Sequence, residues 1–116
     1  IMSSDWSSDV CSSDLAILKM VKHVSDVAAE HQIGLYMCGE MAADPIHVPL
    51  LLAMGFQELS MNPQSIPSVK RMIRSVSIAG TKELLDNVLK LNRISDIVDL
   101  MKNTYGNVLS EMAYMK

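Results

Sequence analysis

The chain has 116 residues, of which 49% are hydrophobic, and a formal net charge of −3 at pH 7. The acidic balance and the absence of a basic stripe argue against a nucleic-acid partner, and no apolar stretch reaches the roughly 20 residues that span a bilayer. Two cysteines in a Met-rich chain without a signal peptide favour reduced thiols. We therefore expect a cytoplasmic protein with neither nucleic-acid nor membrane partners.

The first fifteen residues differ in character from the rest of the chain. Residues 1–15 contain the triplet Ser-Ser-Asp three times, without a helical or a strand period. The segment resembles a translated sequencing adapter joined to a natural reading frame, and the alternative is a disordered polar leader. In either case Cys11 is discounted as a ligand or nucleophile, and residues 1–15 are left out of the fold prediction.

An amphipathic helix is predicted from Ala16 to about Gln32. Charged residues lie off its apolar face, as expected for a helix that packs on a core. Gly34 follows and separates this helix from the next apolar run. The residues of the apolar face recur at spacings of one, three or four: Ile17, Leu18, Val21, Val24 and Ala28.

A short apolar run from Leu35 to Met37 ends in Cys38, Gly39 and Glu40. The run is too short for an independent helix and is bounded by glycines, so it predicts a buried strand of a covered parallel sheet. Cys38 is then predicted at the C-terminal end of this strand. Open α/β sheets and α/β barrels place their active-site loops at that edge.

Two helices and a second strand are predicted between residues 44 and 76. Asp44 is predicted to cap a helix that has Pro45 in its first turn and ends at Gly55. The second strand is predicted over 56–61, and another helix over 65–76. The predicted order is therefore strand, helix, strand, helix, which is typical of an α/β fold.

The tail is predicted to be helical. Thr81 is predicted to cap a helix whose apolar residues are Leu84, Leu85, Val88 and Leu89. A second apolar stripe over 94–101 closes near Gly106, and residues 107–116 are ambiguous between a short helix and an irregular end. No linker in the chain is long enough to mark a second domain.

Several motifs in the central segment carry a family resemblance. In chain order they are Tyr36-Met-Cys-Gly-Glu-Met-Ala, Asp44-Pro45, Pro49-Leu-Leu-Leu, Gly55, Glu58-Leu-Ser-Met-Asn-Pro and Ser65-Ile-Pro-Ser-Val-Lys-Arg-Met-Ile-Arg-Ser. In order and spacing, these motifs resemble the C-terminal end of the PEP-binding barrel of the phosphoenolpyruvate-protein phosphotransferases. These are the enzyme I proteins of the phosphotransferase system, in the PEP-utilising enzyme family.

The resemblance implies an α/β fold that is one part of a larger domain. It implies the C-terminal fragment of a (β/α)8 TIM-type barrel, about two βα units, followed by a helical tail. A complete barrel needs about 250 residues, more than this chain has. The implied organisation is a non-native or disordered leader at 1–15, a partial PEP-utilising barrel at 16–78 and a C-terminal helical tail at 79–116.

The resemblance also implies a role for Cys38. In the family, the corresponding cysteine protonates the methylene carbon of enolpyruvate while the phosphoryl group passes from phosphoenolpyruvate to a histidine and on to a histidine phosphocarrier protein. A thiol suits this role because thiols are mostly protonated at neutral pH. Gly39 is expected to let the backbone approach the substrate, and Glu40 to be a polar loop residue near the site.

Other family features imply what this segment lacks. The family's Mg²⁺-binding carboxylates and PEP-binding arginines lie on earlier barrel strands, and its phosphorylated histidine lies on an upstream domain. We therefore assign no metal ligand in this chain and expect the fragment alone to be inactive. The parent protein is expected to use Mg²⁺, to bind phosphoenolpyruvate and pyruvate, and to form a homodimer through its C-terminal domain.

The residues alone leave other interpretations of the candidate site open. A cysteine at a strand end is often a small buried hydrophobe, and Glu40 can equally be a solvated or helix-capping carboxylate. A nucleophilic or metal-binding thiol gains no support, because His23 and His31 belong to the preceding helix region and no C-x-x-C motif is present. Lys70, Arg71 and Arg74 form a cluster of cations on one predicted helix. Such a cluster can bind phosphate but is more often a solvated helix face.

Other functional hypotheses also stay open. One is a small helical interaction or dimerisation module without catalysis, in which residues 81–105 form a helical hairpin that docks on a partner. Another is a relative of PEP synthase or pyruvate phosphate dikinase. A third is a truncated reading frame that is never expressed. Within the resemblance, the sequence does not separate the sugar branch of the phosphotransferase system from the nitrogen branch.

Overall fold

The computed structural model describes residues 15–113, so the interpretations of the leader, of Cys11 and of residues 114–116 lie outside the described residues. The described chain is mostly helical and contains a small parallel sheet, and the predicted alternation of strands and helices is confirmed. Its elements are α1 (Leu15–Glu30), β1 (Tyr36–Cys38), α2 (Glu40–Ala43), α3 (Val48–Ala53), β2 (Glu58–Ser60), a 3-10 turn (Pro63–Ser65), α4 (Ile66–Ser75), α5 (Ile78–Leu89) and α6 (Ile94–Ala113).

The two strands pair in parallel, joined by a crossover through α2 and α3. Met37 pairs with Leu59, and both side chains pack against the helical core. Because side chains alternate across a strand, the flanking residues share the opposite face, which is exposed in the described chain. The prediction of a strand buried on both faces is therefore wrong for residues 15–113. The four residues of this exposed strand face are Tyr36, Cys38, Glu58 and Ser60.

The main core forms around α3, which packs most extensively against α5. The predicted end of this helix is confirmed, because Gly55 follows it with a φ of 93°, a conformation that favours glycine. One continuous cluster joins α1, α3, α5 and α6. Its buried members are Leu18, Leu50, Leu51, Met54, Phe56, Leu84, Leu85, Val88, Ile97 and Met101.

The start of α3 differs from the prediction. Asp44 lies at the C-terminal end of α2, and its Oδ1 accepts a hydrogen bond of 3.1 Å from the backbone N–H of Ile46. This is turn chemistry rather than helix capping. The proline at Pro45 holds Asp44 in an extended conformation (φ −93°, ψ 113°). The helix begins only at Val48, so the predicted cap is wrong.

The first helix buries a narrower face than its sequence suggests. Leu18, Ser25 and Ala28 are buried, and Leu18 joins the core under α5. Val24, predicted on the buried face, is 56% exposed. It shares the solvent side of α1 with Met20, because residues four apart lie on one helical face. In the described chain α1 has a packing partner on one side only, which explains the difference.

The N-terminus of α5 lies four residues earlier than predicted. Ser77 is extended (φ −106°, ψ 144°), and its hydroxyl accepts a hydrogen bond of 3.1 Å from the backbone N–H of Gly80. Ser77 is thus the N-cap. Thr81 is fully buried inside the helix and donates a hydrogen bond of 2.7 Å to the carbonyl oxygen of Ile78. The prediction that Thr81 caps this helix is wrong.

The last helix continues beyond the predicted end at Gly106. A local break at Tyr105 (φ −122°, ψ 18°) divides α6, and the distal half runs on to Ala113. This half packs on α4, where Met112 forms a second buried cluster with Val48, Val69 and Met72. The tail helices thus pack chiefly on α3 and α4 rather than forming a separate hairpin. None of the helices within residues 15–113 has the length and apolar character needed to cross a membrane.

Candidate functional site

Cys38 and Ser60 lie together where the two parallel strands end. Each is the last residue of its strand, and the two are register partners. Both are exposed, and Cys38 is a free thiol. The sequence correctly predicted Cys38 at the C-terminal end of a strand. The pairing with Ser60 adds a hydroxyl group on the same face of the sheet.

Gly39 adopts a backbone conformation that side chains rarely tolerate. Its φ is 92° and its ψ is −160°, a region occupied almost only by glycine. A Cβ at this position would meet nothing within 4 Å. The backbone turn itself, rather than a lack of space, therefore requires glycine here. This turn directs the chain from Cys38 into α2, which begins with the exposed side chain of Glu40.

A cleft with a volume of about 830 Å³ lies beside the C-terminal ends of the strands. The loop after β1 and the loop after β2 form its polar side, and the end of α6 forms an apolar wall. Cys38 does not line the cleft, whereas Glu40 does, so the two predicted residues face different spaces. The residues that define the cleft are Glu40, Asp44 and Asn62 on the polar side and Leu109, Met112 and Ala113 on the wall.

The sequence does not predict this wall. Residues 107–116 are ambiguous in the sequence between a short helix and an irregular end, and the segment that forms the wall follows the break at Tyr105. A signal was present, because Val108, Leu109 and Met112 recur at helical spacing. Their packing against α4 could not be deduced from that periodicity, since periodicity does not identify the partner.

Asn62 has a local structural role in the loop after β2. Its Oδ1 accepts hydrogen bonds of 3.0 Å from both the backbone N–H and the hydroxyl of Ser65. This caps the 3-10 turn that leads into α4. Asn62 therefore stabilises the turn that follows β2. Both hydrogen bonds accepted by its side-chain oxygen are therefore internal to this loop.

The buried side chain of His47 lies next to Asp44, one of the residues on the polar side of the cleft. His47 is only 4% exposed, and its Nδ1 lies 3.5 Å from Oδ2 of Asp44. Burial lowers the pKa of His47 below its ordinary value, and the negative charge of Asp44 partly opposes that change. His23 and His31 are exposed, at positions in and just after α1. His47 follows Asp44 by three residues, and the turn between α2 and α3 brings the two side chains together.

The cationic residues of α4 form a solvated face, as the more common interpretation of their pattern predicted. Lys70, Arg71 and Arg74 are exposed, and Arg71 forms an ion pair with Glu111 of α6. This pair links α4 to the helix that forms the cleft wall. Among residues 15–113, no group of three or more His, Cys, Asp or Glu side chains is arranged to hold a metal ion.

Comparison with known proteins identifies relatives of this chain. The model of the family described as "PEP-utilising enzyme, PEP-binding domain" matches residues 4–78. A phosphoenolpyruvate-protein phosphotransferase from Staphylococcus carnosus is 40% identical over 94 residues, covering 79% of this chain and 16% of that protein. The protein of the same name from Bacillus sp. (strain S) is 36% identical over 91 residues, covering 78% and 16%.

A differently named relative is also similar. A multiphosphoryl transfer protein from Xanthomonas campestris pv. campestris is 36% identical over 75 residues, covering 65% of this chain and 9% of that protein. The chain thus spans 16% or less of the length of these three relatives. The similarity includes the segment with the exposed strand face and the polar side of the cleft, since both lie within the family match at residues 4–78.

Proposed function

Because this chain belongs to the PEP-utilising enzyme family, we propose that it is the C-terminal part of a phosphoenolpyruvate-protein phosphotransferase. The whole protein would transfer the phosphoryl group of phosphoenolpyruvate to one of its own histidines and then to a histidine phosphocarrier protein. The names and coverage of the relatives support this assignment, since the chain matches only 16% of the length of the phosphotransferases described above.

The fold part of the proposal is that β1 and β2 are two neighbouring strands of a (β/α)8 barrel. Their parallel pairing and the crossover through helices support it, because a barrel of this type repeats that unit. The exposed strand face would then be the inner surface of the barrel, closed by strands outside this chain. Residues 16–78 would be the barrel segment and residues 79–116 the tail. The sequence pattern assigns 1–15 to a foreign leader, whereas the family match begins at residue 4, so the boundary of the domain within 4–15 stays a proposal.

The chemical part of the proposal is that Cys38 is the proton donor to enolpyruvate. Its S–H bond would break while a C–H bond forms at the methylene carbon, which yields pyruvate as the phosphoryl group leaves for the histidine. The observation that carries this role is the position of an exposed thiol at the C-terminal end of a parallel strand. Active sites of α/β barrels occupy that end.

Gly39 and Glu40 would support the proton donor in different ways. Gly39 supplies the left-handed turn that ends β1 directly after Cys38, and so fixes the position of the thiol relative to α2. Glu40 would contribute a polar side chain at the edge of the neighbouring cleft. We propose the contact of both residues with substrate on the family resemblance.

The proposed parent enzyme uses Mg²⁺, which neutralises charge on a transferring phosphoryl group. Residues 15–113 do not fit such a site, since they contain no suitable cluster of ligands. We therefore assign the Mg²⁺ ligands to earlier barrel strands and derive no step through the ion from this chain. It follows that the fragment alone should not catalyse phosphoryl transfer. A homodimer formed through the C-terminal domain is a further part of the proposal.

The alternative of a separate helical interaction module is less well supported. That hypothesis treats residues 81–105 as a hairpin that functions independently of the strands. In the structure, however, Leu84, Leu85 and Val88 of α5 belong to the same core as α3. Removing the strand and α3 region would therefore expose the apolar face of this tail helix. The tail is better described as an extension of the domain.

The decisive experiment is replacement of Cys38 in the full-length parent protein. We expect Cys38→Ala to abolish phosphorylation of the phosphocarrier protein when phosphoenolpyruvate is the donor, because no group would protonate the methylene carbon. Transfer of the phosphoryl group from a phosphorylated carrier protein back to the histidine of the variant should continue, since that step involves no enolpyruvate. This second reaction serves as the control for folding. Full phosphoenolpyruvate-dependent activity in the variant would contradict the proton-donor role.

A further inference from the structure

We propose that Ser60 is a positioning residue for Cys38, an inference that rests on the proposed proton-donor role of Cys38. The two residues are register partners at the ends of adjacent parallel strands, and both are exposed. Neighbouring strands lie about 4.8 Å apart, and register partners point to the same face. The Cβ atoms of Ser60 and Cys38 are therefore expected about one strand spacing apart, from which side-chain rotation can bring the hydroxyl to the sulfur.

The other side chains of the exposed strand face are placed less well for this role. The Tyr36 hydroxyl is turned toward Gly34, where it lies 2.5 Å from the position that a Cβ would occupy. Glu58 is the register partner of Tyr36, two residues before Ser60 along β2. Two residues correspond to about 6.6 Å along a strand, so both side chains belong to a lower layer of this face.

The polar residues that follow the two strands are also directed elsewhere. The Asn62 side-chain oxygen accepts two hydrogen bonds from Ser65. Glu40 begins α2 beyond the turn at Gly39 and lines the cleft, which Cys38 does not. The hydroxyl of Ser60 forms no hydrogen bond with any of the residues 15–113. It is thus the hydroxyl donor on the described strands best able to reach the thiol.

The proposed role follows from the charge that appears during proton transfer. When Cys38 gives its proton to the methylene carbon, the electron pair of the S–H bond stays on sulfur as a thiolate. The Ser60 hydroxyl, which keeps its own proton, donates a hydrogen bond to this anion. Hydrogen bonds to ionised acceptors are stronger than neutral ones, so the contact stabilises the product of the step more than the reactant. Solvent returns the proton to sulfur once pyruvate has left.

The test compares matched variants of the full-length parent protein. Ser60→Ala removes the hydroxyl, whereas Ser60→Thr and Ser60→Val differ from each other chiefly in whether a hydroxyl is present. Glu58→Gln is the control on the same face of the same strand. Two quantities are measured: the kcat of phosphoenolpyruvate-dependent autophosphorylation, and the pH at which alkylation of Cys38 by iodoacetamide reaches half its limiting rate, followed by mass spectrometry of its peptide.

We expect Ser60→Ala and Ser60→Val to lower kcat about tenfold and to move the alkylation midpoint upward by about one pH unit, as loss of a hydrogen bond to a charged group predicts. Ser60→Thr and Glu58→Gln should leave both quantities near those of the wild-type protein. If Ser60→Ala does not fold, the comparison of Thr with Val decides. Equal midpoints for Thr and Val would overturn the inference, because a purely structural role does not depend on the hydroxyl.

The two proposals fail in distinguishable ways. If Cys38→Ala retains activity with phosphoenolpyruvate, the proton-donor role is wrong and the role of Ser60 falls with it. If Cys38→Ala is inactive while Ser60→Ala and Ser60→Val match the wild-type protein in both measurements, only the Ser60 inference is wrong. Loss of kcat without a change in the alkylation midpoint would also overturn it, since stabilisation of the thiolate must change both.

Discussion

The strand β1 and the helix α3 are both apolar segments, yet they are buried to very different extents. In α3, Val48, Leu50 and Leu51 are at most 1% exposed, because α2, α4 and α5 surround the helix. In β1, Tyr36 is 63% exposed and Cys38 is exposed. Within residues 15–113, this strand has one neighbouring strand and is covered on one face only. The number of packing partners, rather than the apolar composition, therefore separates the two regions.

This difference also separates stability from chemistry in the molecule. The buried core that surrounds α3 stabilises the fold, whereas the strand face carries the candidate proton donor. A reactive thiol must reach its substrate, so a fully buried position would not serve it. The packed helices hold the two strands in register, and the register brings Ser60 next to Cys38. Variants in the two regions should therefore have different consequences.

The largest effect is expected in the packed region. Leu51→Ala should lower the free energy of unfolding by about 2–5 kcal/mol, because it removes buried methyl groups and leaves a cavity. Tyr36→Ala, at the 63% exposed position of β1, is the matched variant and should cost less than about 1 kcal/mol. Urea denaturation followed by circular dichroism measures both. Equal losses of stability would remove the distinction between the two regions.

A smaller effect is expected where β1 ends. Gly39→Ala should destabilise the protein by about 1–3 kcal/mol, because alanine disfavours a φ of 92°. Gly106→Ala is the control, since Gly106 lies within α6 outside the positive-φ region and has open space around its Cβ position. That variant should be neutral or slightly stabilising. A Gly39→Ala variant as stable as the wild-type protein would show that the turn is not strained.

The smallest effect is expected at the entrance of α3 and depends on pH. Burial lowers the pKa of His47 below 6.5, so the folded state binds its proton less readily than the unfolded state. The stabilising contribution of neutral His47 to the free energy of unfolding should be fully present above pH 6.5. It should be lost progressively as the pH falls from 6.5 toward the lowered pKa that His47 has in the folded state. We expect the wild-type protein to lose more stability than His47→Gln between pH 7 and pH 5.

The control for this comparison is His23→Gln, because His23 is exposed on α1. Its loss of stability between the same two pH values should match that of the wild-type protein. Urea denaturation at each pH gives the free energies of unfolding. A wild-type profile parallel to that of His47→Gln would contradict the assignment, since only a buried histidine that resists protonation produces the difference.

The order of elements and the position of the candidate thiol were predictable from sequence. The short run before Cys38, the glycines that punctuate the chain and the helical period after Ser65 are local signals, and local geometry produces them. The predicted start of α3 failed because Asp44 satisfies a turn instead of a helix end. The predicted cap of α5 failed because Ser77, four residues earlier, occupies that role and leaves Thr81 inside the helix.

The amino-acid sequence by itself determined the types and order of the main elements before Tyr105, the family of the chain and the placement of Cys38 at a strand end. The tertiary structure decided which apolar faces are buried, that Ser60 is the register partner of Cys38, and that Leu109 and Met112 form a wall of the cleft. The physical reason is the distance along the chain over which each kind of interaction acts. Propensity, capping and periodicity act over a few residues, whereas burial and register depend on partners that are distant in the chain.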